Sequence, residues 1–199
     1  MTVNRNHNSA TSRRRQQQIE ECLYENILRT SWQSISITDI CQQVGISRKA
    51  FYNYYRDKED CLNAYIDRVL RDTVLETSQS LPDNTSSLDA SISLLEHWRK
   101  NKDFLTVIKR NRLTYYLLAR CLQYVQTENR SIHELLSTEN IPTDLDILTC
   151  YMTIQMTLIL LWHERDFDTP VEEMARKFVR LVHEPLISIS SDSILPVNP

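Results

Sequence analysis

The chain is 199 residues long, 41% hydrophobic and 25% charged, with a net charge of −3 at pH 7 and a single glycine beside six prolines. This composition is ordinary for a folded globular protein. It excludes a polycation that holds nucleic acid by charge alone and disfavours a turn-rich β fold, so an all-α protein fits it better. The charge is uneven: residues 1–60 carry nine Lys/Arg against seven Asp/Glu, and the remainder fourteen against nineteen. A mildly basic head therefore precedes an acidic body.

Residues 1–10 are polar and are expected to form a disordered arm. A first helix is expected over 12–30, with Ile19, Cys22, Leu23, Ile27 and Leu28 along its apolar stripe. It carries Arg13-Arg14-Arg15, either an arm for an adjacent groove or a basic tag without defined contacts. Ser36-Ile37-Thr38-Asp39 reads as a capping box that starts a second helix running through Val44. Ser47 caps a third, from Arg48 to about Tyr54, and Asp57 caps a long fourth on which Cys61, Leu62, Tyr65, Ile66, Val69 and Val74 recur at helical spacing.

The stretch 81–87 is rich in helix breakers and cappers and reads as a linker. Beyond it come an amphipathic helix near 88–101, a long helical region from Phe104 to Gln126 bent near Asn111, and a short piece around 131–136. An apolar helix over 144–164 and a last helix from Thr169-Pro170 to about His183 complete the series, with Pro185 as its stop. The expected division is a three-helix head over 11–56, a helical body over 57–185 and a tail over 186–199, about nine helices in all.

Gly45, alone of its kind, falls between the second and third helices. Glycine enters the left-handed backbone region without steric cost, so its single use marks a required sharp turn. A short apolar-periodic helix, that turn, and a short basic, aromatic helix make the layout of a helix-turn-helix, whose second helix enters the DNA major groove. Arg48 and Lys49 open that helix, the end that meets base edges, and Arg can donate two hydrogen bonds to guanine. Tyr52 and Tyr54 bring hydroxyls within reach of phosphate oxygens, and Ser36, Thr38 and Ser47 can add more. Lys58 starts the fourth helix, where its charge and the free backbone N–H groups favour a phosphate. Phe51 and Tyr55 are expected to pack inward with Ile40, Val44 and Leu62.

Segment 36–62 resembles the DNA-binding region of the TetR family of bacterial transcriptional regulators. Ile37-Thr38-Asp39-Ile40, Val44-Gly45-Ile46-Ser47, Phe51-Tyr52-x-Tyr54-Tyr55 and Lys58-Glu59-x-Cys61-Leu62 occur together and in register. Tyr55 stands where Phe is commonest and Cys61 where Leu is usual, while Lys49 stands where many relatives have Gly, so base preference cannot be copied from them. The resemblance implies an all-α regulator that binds operator DNA as a homodimer, with its last two long helices in the dimer interface. The expected interface stripe is Leu145, Leu148, Met152, Ile159, Met174, Phe178 and Leu181; a second apolar stripe on the 144–164 helix holds Ile147, Tyr151, Ile154, Leu158 and Leu161. It also implies a small-molecule effector pocket, for which Trp98, Phe104, Arg112, Tyr115, Tyr116, Tyr124, Met152 and Trp162 are the candidates. Aromatics at helical spacing equally suit a plain core, and a protein partner could replace the metabolite.

Enzyme chemistry is not expected. One glycine rules out a glycine-rich phosphate cradle, there is no H-E-x-x-H, and the five histidines are scattered. No cofactor or metal is expected. Five cysteines without a C-x-x-C pair, and no signal peptide, read as reduced thiols in a cytoplasmic protein. The uncharged run 147–162 is only sixteen residues long and holds Thr149, Thr153, Gln155 and Thr157, so it reads as a buried helix rather than a membrane span. The expected function is a repressor released by its effector from a palindromic operator. The alternatives are an activator switched by a protein partner and a helical interaction protein without DNA binding.

Overall fold

The computed structural model describes residues 10–82, 85–136 and 144–183, the side chains of 128–136 and 182–183 excepted. The expected N-terminal arm, the Pro185 stop and the tail 186–199 lie outside the described residues. All of the regular structure among the described residues is helical.

Helix α1, Ala10–Arg29, buries Ile19, Leu23 and Ile27, one residue per turn. Leu28, placed on the same stripe by sequence, is instead exposed. Arg13, Arg14 and Arg15 lie in the first turns of α1 and are presented by a helix. A 3₁₀ turn, Trp32–Ser34, leads to α2, Ile37–Val44, which Ser36 caps by accepting from the Asp39 N–H at 3.2 Å and donating to the Asp39 carboxylate at 2.6 Å. Gly45 ends α2 at φ 71°, ψ 41°. The Gly45 N–H meets the Gln42 carbonyl at 3.3 Å and the Ile46 N–H meets that of Cys41 at 2.9 Å, a Schellman closure that requires the left-handed residue. Helix α3, Arg48–Tyr52, is capped by Ser47 on the Ala50 N–H and buries Phe51. It stops two residues before the expected end, because the N–H groups of Tyr54 and Tyr55 both converge on the Phe51 carbonyl.

Helix α4, Lys58–Gln79, is capped by Asp57 on the Asp60 N–H at 2.7 Å. Its first half packs Cys61, Leu62 and Ile66 among the head helices, and its second half turns Leu70 and Val74 toward the body. A buried carboxylate joins α4 to the head: Glu20 accepts from the Tyr55 hydroxyl at 2.8 Å and from the Arg68 Nε at 2.8 Å. Burial, then the Glu20 charge, pushes the Tyr55 hydroxyl pKa far up, so it stays a donor.

The body comprises α5, Ser87–Lys100; α6, Lys102–Arg110; α7, Thr114–Leu136; α8, Leu145–Glu164; and α9, Val171–His183. The long region bent at Asn111 is two helices, broken at 111–113 with Arg112 at φ 59°. The short piece at 131–136 is continuous with α7. Asn111 explains the break. It is buried, accepts from the Trp32 N–H at 2.8 Å, and donates to the carbonyls of Ile27 at 3.3 Å and Val107 at 3.0 Å. Arg110 beside it donates to the carbonyls of Ile27 and Leu28 at 2.9 and 2.8 Å. The end of α6 thus caps the end of α1 from 80-odd residues away.

Helix α8 is, among the described residues, long and apolar enough to cross a membrane by length and composition. Here it lies along α7 and sends Leu148, Met156, Ile159 and Trp162 into the core.

Candidate nucleic-acid interface

The two short helices of the head leave their polar chemistry outside. Ser36, Thr38, Ser47, Arg48, Lys49 and Tyr52 are exposed and Tyr54 is half-buried, while Ile40, Phe51, Tyr55 and Leu62 are inside as expected and Val44 is half-buried against them. Arg48 reaches along α3 to the Tyr52 hydroxyl, Nη2 to Oη 3.2 Å, and across to α2, Nη1 to Thr38 Oγ1 3.5 Å. Its guanidinium carbon lies 5.9 Å from the Tyr52 ring centroid. These contacts hold one side chain from α2 and two from α3 in a single outward cluster. Phe51, edge-on to Tyr52 at 5.7 Å between centroids, braces it from within.

The hydroxyls are not equivalent. Ser36 donates its proton to Asp39, whereas Ser47 only accepts from Ala50, so its proton remains for an incoming acceptor. Lys58 is half-buried and largely spent on the fold. Its Nζ donates to the carbonyls of Trp32 at 2.9 Å and Ile35 at 3.1 Å and sits 4.5 Å from the Trp32 ring centroid. An ammonium has three donors, so one is left for a phosphate. Sequence spacing carries no signal for those carbonyl partners, which lie 26 and 23 residues away. Among the described residues, no group of three or more His, Cys, Asp or Glu is placed to hold a metal.

No family model and no curated protein matches this chain. Solved structures do. A Syntrophomonas wolfei protein assigned to the TetR family of transcriptional regulators aligns over 89% of this chain and 99% of its own, with TM-score 0.55 and 18% identity. FadR of Thermus thermophilus, a TetR-family transcriptional repressor solved with lauroyl-CoA, covers 92% of this chain and 99% of its own at TM-score 0.53 and 16% identity. A TetR-family regulator from Streptomyces coelicolor covers 85% of this chain and 79% of its own at TM-score 0.53 and 18% identity. The chain has the TetR-family fold.

Within the body the candidate pocket residues separate. Trp98, Tyr124 and Met152 line a small chamber between α4, α5, α7 and α8. Trp98 also joins Phe104 in the wall of an open cleft of about 340 Å³ between α1, α4, α5 and the start of α6. The other four line neither. Trp162 is fully buried with its indole N–H on the Thr169 carbonyl, Tyr115 is 77% exposed, Tyr116 is half-buried beside it, and Arg112 is exposed at the α6–α7 break.

The residues of the expected interface stripe separate in the same way. Leu148, Ile159, Met174 and Phe178 are buried inside the protomer, Met152 and Leu181 are half-buried, and only Leu145 is exposed. Two packings account for this: α8 lies along α7 and buries Leu148 and Ile159, and α9 lies mainly along α5 and buries Met174 and Ala175, with Phe178 edge-on to Tyr151 of α8 at 4.9 Å between centroids. The outer face of α9 carries Glu172, Glu173, Arg176, Lys177 and Arg180. The second stripe of α8 is the more exposed one: Ile147 is 58% exposed, Ile154 37% and Leu161 48%, while Leu158 is half-buried and Tyr151 is half-buried against Phe178.

Proposed function

We infer that the chain is a sequence-specific DNA-binding transcriptional regulator that acts as a dimer. The observation that carries this reading is the outward cluster of Thr38, Arg48 and Tyr52, with Lys49 beside it, at the open end of α3 immediately after the Gly45 turn. A helix held in that way offers a guanidinium and an ammonium to base edges, and hydroxyls to the flanking phosphates. The solved neighbours are regulators rather than enzymes, which supports the same reading.

The exposed stripe Ile147, Ile154 and Leu161, with half-buried Leu158, supports pairing of two α8 helices about a two-fold axis. Two heads then meet half-sites about one helical turn apart in a palindromic operator. Repression released by a small-molecule effector in the body is the mode we favour, in a cytoplasmic protein; the Thermus neighbour is itself a repressor solved with an acyl-CoA. An effector that fits one head spacing better than the other shifts the population away from the bound form.

The test selects duplexes from a random-sequence pool with the intact chain and measures affinity by fluorescence anisotropy. Binding should weaken steeply as salt rises. Arg48→Ala should relax preference at one base pair per half-site, by about 1–3 kcal/mol. Ile154→Glu combined with Leu161→Glu should give a monomer by analytical ultracentrifugation. Failure of the pool to yield any consensus, with the dimer intact, ends the DNA-binding proposal.

A further inference from the structure

The open cleft of about 340 Å³ lies at the seam of head and body, away from the outward cluster on α3, and its size falls in the range of small-molecule sites. Its inner surface is aromatic. Tyr24 of α1 stacks on Tyr65 of α4 at 4.7 Å between centroids, and Phe104 of α6 lies 6.0 Å from both Tyr24 and Trp98 of α5. Tyr65, Trp98 and Phe104 are buried and Tyr24 is half-buried. Electron-rich rings of this kind receive cations as well as methylene groups. The Tyr65 ring already holds one: the Arg68 guanidinium carbon lies 5.0 Å from its centroid, and that charge is paired with Glu20 and Glu21.

The rim is acidic. Asp72, Glu76 and Asp103 stand there against a single ammonium, Lys100, which leaves two negative charges. Asp72 and Glu76 lie one turn apart on α4, and Asp103 lies on a separate wall, in the first turn of α6. The Asp103 carboxylate has no hydrogen bond or ion pair with a described residue. Glu76 meets His97, 3.4 Å from its Nδ1, whose Nε2 is shared by Thr73 and Asn101. Burial lowers the pKa of that imidazole, so near pH 7 it does little to offset the Glu76 charge. Among the described residues Asp72 pairs only with exposed Arg71, at 3.6 Å, where solvent screens the attraction.

Two carboxylates on one wall, an uncommitted carboxylate on another and apolar rings beneath them suit one chemistry: two ammonium ends joined by a methylene chain. A monoamine leaves one wall unpaired, and an anion meets a repulsive field.

We propose that the cleft binds a linear aliphatic diamine, with one ammonium on Asp72 and Glu76, the other on Asp103, and the methylenes over Tyr24 and Phe104. This rests on the regulator reading and names a ligand that controls it. Tyr24 belongs to the head, whereas Trp98 and Phe104 belong to the body, so an occupant ties the two regions together. Diamine and DNA then change each other's affinity by the same factor.

The experiment titrates the full chain calorimetrically with 1,5-diaminopentane, pentylamine and glutarate at one ionic strength. The diamine should bind saturably at one site per chain, with pentylamine weaker by at least about tenfold and glutarate not binding. Asp103→Asn and Glu76→Gln, both at exposed positions, should each weaken the diamine by about tenfold, while Glu172→Gln on the outer face of α9 should leave it unchanged. Saturating diamine should shift the DNA affinity of the wild type but not that of Asp103→Asn, which separates coupling from competition of free amine for phosphates. Equal binding of pentylamine overturns the proposal, as does undiminished binding by both cleft variants or no diamine binding at all. An identical DNA shift in wild type and Asp103→Asn overturns the coupling. Diamine binding by a chain that ignores all DNA upholds the cleft and removes the regulator reading; sequence-specific DNA binding without diamine binding does the reverse.

Discussion

Head and body are built from the same kind of helix but are specified in different ways. The head states its structure locally: Ser36, Ser47 and Asp57 each cap a helix three residues ahead, and Gly45 turns the chain within a single residue. The body is specified at long range. Its helix break at Asn111 depends on Trp32 and Ile27 of the head, and the outer face of α8 depends on α9 choosing α5. Short-range rules can be read one element at a time, whereas long-range ones need the whole packing.

The strongest way to break the head is through the carboxylate inside it. Glu20→Ala leaves Arg68 half-buried without its closest partner and the Tyr55 hydroxyl without an acceptor, and should cost about 3–5 kcal/mol in urea denaturation. Asn111→Ala cuts the seam between the regions. It strips the buried Trp32 N–H of its acceptor and should cost about 2–3 kcal/mol. If the substitution is silent, the body does not cap the head. Gly45→Ala tests the local rule by itself. A Cβ there meets nothing within 4 Å, so the loss is purely conformational, about 1–2 kcal/mol.

The smallest expected effect sharpens the contrast from the body's side. Burial lowers the pKa of His97 and, with Lys109 assisting, that of His163. The unfolded chain then binds protons first as pH falls, so stability declines below about 6.5, the ordinary imidazole value, and is retained above it. Replacing His97 with Gln should flatten the profile between pH 5 and 7, whereas an unchanged slope would assign the effect to other groups.

The same contrast decides what the sequence could tell. The capping residues, the turn and the outward Arg48 and Tyr52 were legible because their partners lie within ten residues along the chain, and the fold class because helical spacing recurs in segment after segment. Lys58 was not, since its carbonyl partners come from the preceding turn across a helix. The stripe on α8 was legible as a pair of apolar faces, but which one looks outward was not, as both are apolar throughout.

Helix α4 crosses from one region to the other without a break. Its side chains Cys61, Leu62 and Ile66 close the interior around Phe51 and Leu23, although they follow the sequence boundary at residue 56. A fragment ending at that boundary would expose those apolar surfaces and should precipitate. Grafting a new recognition head onto this body therefore requires the splice to fall past Arg68, with the first three turns of α4 travelling along.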